Sequence, residues 1–158
     1  MGQSLPGAGL GRTGKQNGEK YLLFQRPLFY GSARGAAVGT DYAKECNVAL
    51  NYEDYWFVVE DDEGEIIGTI TGRAYYNEVH IGDLIIDKRY RGQNIGTKLV
   101  RAVEEEYKNK GFDKITLTTF GFQAPEFYKK LGYSLEFVRE DKNPKLSKFF
   151  YCKSLKSI

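Results

Sequence analysis

A short apolar strand that runs into a basic, glycine-containing loop and then directly into a helix constrains this chain most. The segment is Leu84-Ile-Ile-Asp-Lys-Arg-Tyr-Arg-Gly-Gln-Asn-Ile-Gly-Thr97. The first turn of a helix presents N–H groups without intrahelical partners, together with a partial positive charge. A loop that enters a helix in this way favours an anion, commonly a phosphate group. The sequence therefore predicts a phosphate-binding site within residues 84–97.

Length and charge bound the other properties of the chain. Its 158 residues suit one domain with its own core. A formal net charge of +2 argues against a dedicated nucleic-acid binder. No apolar run approaches the roughly 18 residues of a membrane span, and Cys46 and Cys152 fit no metal or redox spacing. We therefore expect a cytoplasmic protein with no metal, no nucleic-acid partner and no membrane partner.

The first 18 residues differ in character from the rest of the chain. They contain Gly9-Leu-Gly-Arg-Thr-Gly14, which matches the spacing of a dinucleotide-binding loop. The surrounding pattern predicts neither a preceding strand nor a following helix, so the match lacks its required context. Glycine-rich polar segments tend to stay unstructured. We expect a flexible tail over residues 1–18 and a single domain over residues 19–158.

Hydrophobic periodicity predicts a mixture of strands and helices after residue 20. The clearest helix covers residues 95–110, because Ile95, Leu99, Val103 and Tyr107 recur every four residues. Strands at 78–86 and 113–119 flank it, and such a strand–helix–strand unit normally gives two parallel neighbours. Further strands are predicted at 21–25, 55–60, 66–75, 133–139 and 147–155, and further helices within 33–50 and 125–132. The fold class is therefore α/β.

Two motifs in this framework resemble the GNAT superfamily of amine N-acetyltransferases. Arg91-Gly-Gln-Asn-Ile-Gly96 resembles the family's Arg/Gln-x-x-Gly-x-Gly/Ala loop, and Ala124-Pro-Glu-Phe-Tyr-Lys-Lys-Leu-Gly-Tyr133 resembles its later tyrosine segment. The resemblance implies a mixed α+β fold: a central, mostly antiparallel sheet of six or seven strands, one parallel strand–helix–strand unit, and helices on both faces. Asn94 and Gly121 depart from the family pattern, replacing a glycine and a common asparagine. Asparagine tolerates left-handed backbone angles, whereas Gly121 removes a side chain that could position the following helix.

The resemblance also implies acetyl-CoA as co-substrate and a set of residues that hold it. Backbone N–H groups from about Gln93 to Thr97 would bind the diphosphate of coenzyme A, and the strand before them would lie beside the pantetheine arm. The implied cofactor-binding residues are Leu84, Ile85, Ile86, Arg91, Gly92, Gln93, Asn94, Ile95, Gly96, Thr97 and Lys98. A solvated basic turn is the other interpretation of this loop.

Acetyl transfer to an amine needs a base for the amine proton and support for the departing thiolate. Tyr128 matches the family position of the acid that protonates the thiolate, and its alternative role is packing beside Phe127. His80, the only histidine, suits proton removal, but it could equally be a sheet-surface residue. Strict alternation puts Asp83 in an apolar row, so either a β-bulge shifts the parity or its carboxylate points into a buried or functional space. Water relayed by Asp83 or Glu78 is the alternative base.

The sequence does not identify the acceptor. We expect the chain to transfer the acetyl group of acetyl-CoA to a primary amine of a small molecule or protein by direct attack in a ternary complex. The alternative is a non-catalytic acyl-CoA-binding or protein-interaction module that retains the fold. Several aromatic residues could line an acceptor cleft or pack in the core: Tyr52, Tyr55, Trp56, Tyr75 and Tyr76. In the closing strands, a second aromatic group indicates either a homodimer contact or core packing: Phe149, Phe150 and Tyr151.

Overall fold

In the computed structural model, which describes residues 12–16, 19–26 and 41–157, the chain forms an eight-stranded sheet with three α-helices. The strands are β1 (Arg12–Gln16), β2 (Glu19–Arg26), β3 (Glu53–Glu60), β4 (Ile66–Tyr75), β5 (Glu78–Ile86), β6 (Lys114–Phe120), β7 (Ser134–Arg139) and β8 (Lys148–Ser154). The helices are α1 (residues 41–45), α2 (Ile95–Tyr107) and α3 (Pro125–Lys130). Three short 3-10 turns cover Lys88–Tyr90, Pro144–Leu146 and Leu155–Ser157.

The strand order across the sheet is β1-β2-β3-β4-β5-β6-β8-β7. Neighbouring strands are antiparallel except β5 and β6, which are parallel and are connected through α2. The predicted mixed α+β fold with one parallel strand–helix–strand unit is therefore confirmed.

The described sheet has eight strands rather than the six or seven that we expected. The additional strand is β1, which pairs with β2 and lies inside the segment predicted to be a flexible tail. Residues 12–16 of that segment therefore belong to the sheet, and its other residues lie outside the described part of the chain. This strand is defined by its backbone pairing with β2. Residues 12–16 lack the alternating apolar pattern from which a strand is predicted, so the sequence did not indicate it.

Helix α2 buries the face that its sequence predicts. Ile95, Leu99, Val103 and Tyr107 are all at most 2% exposed. The helix ends at Tyr107 instead of residue 110, since the N–H of Lys110 turns back to the Tyr107 carbonyl oxygen at 3.1 Å. The core that α2 shares with the sheet and α3 includes Tyr55, Phe57, Val59, Ile67, Ile70, Ala74, Val79, Ile81, Ile115, Leu117, Tyr128 and Tyr151.

A buried cluster of charges ties α2 to the closing strands. Glu104 on α2 is 2% exposed and contacts Nη1 of Arg101 at 2.6 Å and Nζ of Lys153, on β8, at 2.9 Å. Lys153 also donates to the carbonyl oxygen of Leu131, just after α3, at 2.9 Å. A buried carboxylate without a partner would be strongly destabilising. The two cations therefore allow α2, α3 and β8 to pack together around Glu104.

The aromatic residues at the end of the chain belong mainly to the core. Tyr151 is fully buried, and Phe149 packs against the core. Phe150 instead stacks on Phe137, with ring centroids 4.1 Å apart. Core packing accounts for Phe149 and Tyr151, and the homodimer contact stays a prediction.

Candidate active site

The N-terminus of α2 is exposed where the sequence predicts an anion site. Asn94 precedes the helix with φ 62° and ψ 12°, and its side chain makes no capping hydrogen bond within the described structure. The N–H of Lys98 donates to the Asn94 carbonyl oxygen at 3.0 Å, which starts the helical ladder. The N–H groups of Ile95, Gly96 and Thr97 therefore precede that ladder. Together with the helix dipole, they favour an anion beyond the helix end.

Two contacts hold the loop that leads into α2. Nε of the exposed Arg91 donates to the carbonyl oxygen of Ile86, at the end of β5, at 3.3 Å. The hydroxyl of Tyr90 donates to Oδ2 of Asp61, in the turn between β3 and β4, at 3.0 Å. Hydrogen bonds from the backbone of that turn, and from Tyr90, lower the pKa of Asp61. These two hydrogen bonds hold the loop before α2 in place. The Arg91 guanidinium lies beside the end of β5.

Strands β5 and β6 separate part-way along their length. Their parallel ladder covers residues 78–81 of β5 and 114–117 of β6, although β5 continues to Ile86 and β6 to Phe120. The edge of β5 that faces β6 therefore has no ladder partner in the described sheet after residue 81. An extended chain can add to such an edge as an extra strand. Because β5 leads through the loop into α2, this open edge adjoins the exposed helix start.

The β-bulge predicted as one explanation of Asp83 is confirmed. Gly82 and Asp83 together oppose the single residue Thr71 on β4. Asp83 is exposed, so its carboxylate does not point into a buried space, and a functional role for it stays a prediction. The strict alternation of side chains between the two faces of the sheet is wrong beyond the bulge. The inserted residue moves each later side chain of β5 to the other face. Leu84 consequently packs against the core, and Ile85 is 62% exposed.

Helix α3 packs beside the start of α2 and the end of β5. A Cβ placed on Gly96 would lie 3.4 Å from Cζ of Phe127 and 3.7 Å from Cδ2 of Leu84. Tyr128 is 9% exposed, and its ring centroid lies 5.9 Å from that of Tyr133. Burial raises the pKa of Tyr128 to about 12, so its hydroxyl stays protonated at neutral pH. Tyr128 is thus a packing residue whose hydroxyl keeps its proton at neutral pH.

Gln123 supplies the side chain that Gly121 lacks. Oε1 of Gln123 accepts hydrogen bonds from the N–H of Phe120 at 2.9 Å and from the hydroxyl of Thr119 at 3.3 Å. These bonds brace the turn between β6 and α3. Gly121 itself is required, because a Cβ there would lie 2.4 Å from the carbonyl oxygen of Pro144. The departure from the family asparagine therefore leaves α3 supported.

His80 lies on the face of the sheet opposite to Tyr128. Its register partners on this face are Arg73 on β4 and Thr116 on β6, whereas Tyr128 packs near Tyr151 in the core. Nδ1 of His80 lies 3.0 Å from Oγ1 of Thr116. Burial lowers the pKa of His80; a neighbouring carboxylate opposes this effect and Arg73 adds to it. The imidazole is therefore neutral at pH 7, which is the state that a general base needs.

The aromatic residues proposed for an acceptor cleft divide between core and surface. Tyr55 is 4% exposed, and its hydroxyl donates to the carbonyl oxygen of His80 at 3.1 Å. The Tyr75 hydroxyl donates to Oε1 of Glu78 at 2.7 Å. Tyr76 is 44% exposed. Core packing therefore explains Tyr55, whereas Tyr75 and Tyr76 lie at the end of β4 beside the His80 face.

Sequence reasoning did not select Thr116, Gln123 or the contact between Tyr90 and Asp61. Three of these residues act through partners that are 29 to 38 positions away in the chain, which no local pattern reveals. Of these residues, only Gln123 could have been selected from the sequence, because it lies directly beside the tyrosine motif. Among the described residues, no group of three or more His, Cys, Asp and Glu side chains could hold a metal ion. None of the described helices is both long and apolar enough to cross a bilayer.

The described fold resembles solved acetyltransferases. The crystal structure of an acetyltransferase from Bacillus cereus ATCC 14579 matches with a TM-score of 0.66 and 32% identity, covering 82% of this chain and 97% of that one. A putative streptothricin acetyltransferase from Bacillus anthracis, solved in complex with acetyl coenzyme A, matches with a TM-score of 0.57 and 21% identity, covering 64% and 62%. The architecture is thus that of the acetyltransferases.

The chain belongs to the acetyltransferase (GNAT) family, whose family model matches residues 24–133. Blasticidin-S acetyltransferase from Streptomyces morookaense is 28% identical over 95 residues, which cover 60% of this chain and 70% of that protein. In three curated relatives, including this one, the matched stretches span 45% to 70% of the relatives' own lengths. The predicted family membership is confirmed.

Proposed function

We propose that this protein is an acetyl-CoA-dependent N-acetyltransferase that acts on a primary amine of a small molecule or protein. The observation that carries the proposal is a set of three features: the first turn of α2 behind the exposed loop residues 91–94, the open edge of β5, and the hydroxyl of Tyr128 on α3, which stays protonated at neutral pH. The first turn of α2 suits a diphosphate, and the open edge of β5 suits an extended arm that contains amides. The Tyr128 hydroxyl suits a leaving thiolate.

The residues at the helix start fit the charge and shape of coenzyme A. The N–H groups from about Gln93 to Thr97 would bind the diphosphate, with Arg91 supplying a charge-assisted hydrogen bond. Gly92, at φ +84°, has no atom within 4 Å of a Cβ position, so the loop leaves room beside its backbone. Lys98 lies in the first turn of α2. The pantetheine arm would pair with the open edge of β5 at residues 82–86.

Proton removal from the acceptor is the more demanding part of the reaction. A lysine-like amine with a pKa of about 10.4 is neutral in only about one molecule in 2,500 at pH 7. His80 is neutral at this pH and is our first candidate for the base. Water relayed by Asp83 or Glu78 is the second candidate, and Asp83 is exposed at the bulge where β5 and β6 part. Direct attack in a ternary complex needs the base and the thioester to be present together.

Tyr128 would stabilise the thiolate mainly as a hydrogen-bond donor. Its pKa of about 12 exceeds the ordinary thiol pKa of about 8.5 by about 3.5 units, or about 5 kcal/mol. Complete proton transfer to a solvated thiolate would therefore be unfavourable. Burial also raises the pKa of a thiol bound in the same surroundings. The difference between the pKa of Tyr128 and that of the thiol is then smaller.

The thiol release assay is the direct test of this function. Free coenzyme A is measured with acetyl-CoA and a panel of amines: blasticidin S, chosen from the named relative, together with spermidine, lysine, an aminoglycoside and a peptide with a free N-terminus. Mass spectrometry of the amine should show the addition of one acetyl group. Calorimetry with coenzyme A should show saturable binding, and Arg91→Ala should weaken it.

The two candidate functions give different results in these measurements. Saturable coenzyme A binding without turnover on any amine would favour the non-catalytic acyl-CoA-binding module. Absence of coenzyme A binding by the intact protein would contradict both.

A further inference from the structure

A hydrogen-bonded row of side chains adjoins His80 on its face of the sheet. Nδ1 of His80 lies 3.0 Å from Oγ1 of Thr116, and the Thr116 hydroxyl donates to Oε1 of Glu78 at 3.4 Å. The same carboxylate oxygen accepts from the Tyr75 hydroxyl at 2.7 Å. Nζ of Lys114 lies 3.7 Å from the other oxygen, Oε2. These contacts hold the Glu78 carboxylate in place, and in each hydrogen bond it is the acceptor.

The number of protons in this row selects one tautomer of His80. A threonine hydroxyl has a single hydrogen, and an ionised carboxylate can only accept. Where the hydroxyl hydrogen of Thr116 is donated to Glu78, the Thr116 oxygen accepts from Nδ1–H of His80. The other ring nitrogen, Nε2, then carries the lone pair. This arrangement makes Nε2 the basic atom, because the hydrogen bond at one ring nitrogen decides the state of the other.

Charged and titratable groups face His80 from each neighbouring strand. Glu78 on the same strand raises its pKa, and Arg73, directly opposite on β4, lowers it. Lys114 on β6 lies within ion-pair distance of Glu78. Cys152 on β8 lies beyond the Thr116 hydroxyl, and burial raises the pKa of its thiol, so it is neutral at pH 7. Glu78 is therefore the carboxylate of this row that compensates a positive imidazole.

We propose that Thr116 and Glu78 are positioning residues, which hold His80 as the Nδ1–H tautomer so that Nε2 accepts the proton of the acceptor amine. This inference rests on the proposed acetyl transfer. In that step the amine nitrogen bonds to the acetyl carbonyl carbon, its proton moves to Nε2, and the electrons of the C–S bond leave with the sulfur of coenzyme A. The imidazolium is stabilised by Glu78 through the Thr116 hydroxyl, and it then returns its proton to water.

The single histidine allows a direct test without any substrate. Long-range proton–nitrogen NMR spectra of the tag-free, full-length protein report the tautomer of this one imidazole, and a pH titration reports its pKa. The wild type should show the Nδ1–H tautomer. Thr116→Val should remove this preference, and Thr116→Ser should retain it. A wild-type Nε2–H tautomer, or a Thr116→Val spectrum identical to that of the wild type, overturns the inference.

Glu78→Gln separates the two positioning residues. The amide oxygen of glutamine still accepts from Thr116, so the tautomer should stay the same. The negative charge is lost, so the pKa of His80 should fall by about 0.5 to 1 unit. An unchanged pKa contradicts the compensating role of Glu78.

Thr118→Val is the matched control for Thr116→Val. Thr118 lies on the same strand and face but pairs in register with Phe150, outside the row. The tautomer and pKa of His80 should therefore match those of the wild type. A change as large as that caused by Thr116→Val would mean that any threonine substitution on β6 perturbs His80, which contradicts a specific relay.

Kinetics with an accepted amine then connect the tautomer to catalysis. Thr116→Val should lower kcat roughly tenfold, less than the hundredfold or more expected for removing a general base, with an unchanged KM for acetyl-CoA. Thr116→Ser should restore most of kcat. If no amine is acetylated while the NMR results hold, the proposed function fails and the tautomer assignment stands. If Thr116→Val keeps the wild-type kcat, the positioning role fails and acetyl transfer stands.

Discussion

We expect the left-handed backbone conformation of Asn94 to affect coenzyme A binding at the proposed site. At φ 62° this residue lies in the left-handed region, where a side chain without a compensating local polar group costs roughly 1 to 2 kcal/mol. Asn94→Ala should therefore cost about 1 kcal/mol, and Asn94→Gly should cost nothing or be slightly favourable. The family's usual glycine at this position fits the same requirement.

The cost of Asn94→Ala must appear either in folding or in binding. If the loop keeps its shape without ligand, the melting temperature should fall by about 2 to 4 °C per kcal/mol in a domain of this size. If the loop relaxes without ligand, the whole cost should appear as coenzyme A affinity weakened about fivefold, since about 1.4 kcal/mol corresponds to tenfold. Calorimetry with coenzyme A and thermal unfolding of the same samples measure both quantities.

Asn47 offers a matched control, because it is an exposed asparagine with φ 56° in a different segment. Asn47→Ala should lower stability by a similar amount and leave coenzyme A affinity unchanged. The reasoning is refuted if Asn94→Ala changes neither quantity, or if Asn94→Gly weakens binding as strongly as Asn94→Ala does.

Four further predictions concern residues around the proposed coenzyme A site. Tyr128→Phe should lower kcat about tenfold or more, while the coenzyme A affinity measured by calorimetry stays the same. Its control is Tyr151→Phe, which removes a buried hydroxyl with no hydrogen-bond partner among the described residues and should keep the wild-type kcat. Because the pKa of His80 is lowered, the acidic limb of kcat/KM should lie below pH 6.5, and His80→Ala should abolish that limb; a limb that persists in the variant assigns it to another group. Tyr90→Phe should raise the KM for acetyl-CoA about two- to fivefold with little effect on kcat, since it releases the loop before α2; an unchanged KM would show that the contact is dispensable. Gly121→Ala should destabilise the fold by about 1 to 3 kcal/mol in thermal unfolding, because its Cβ meets a backbone oxygen, and an unchanged melting temperature contradicts this.

Much of the fold and part of the site could be predicted from local pattern. The bounds of β4 and β5 match the prediction residue for residue, and the apolar spacing of α2 identified the face that is buried. These features depend on neighbouring residues along one strand or one helix turn, so the sequence contains them directly. The loop from Arg91 to Asn94 was predictable for the same reason, because a strand, a turn and a helix start follow one another without interruption.

Local pattern did not decide between the alternatives at Asp83, nor did it show the need for glycine at position 121. Two residues of β5 oppose Thr71 only because the register with β4 shifts there, and register is a property of two strands together. The need for glycine at position 121 comes from the carbonyl oxygen of Pro144, which is distant in sequence. The sequence could only present the alternatives, and strand pairing selected among them.

Residue pattern alone was thus enough for the fold class, the helix that begins at the predicted anion site and the family to which the chain belongs. The packed structure decided which face of the sheet each candidate group occupies: the Tyr128 ring lies in the core, and His80 lies across the sheet beside Thr116. The physical reason is that helix starts and strand periods are encoded over a few adjacent residues. The separation of β5 from β6, and the contacts across it, depend instead on how distant strands align.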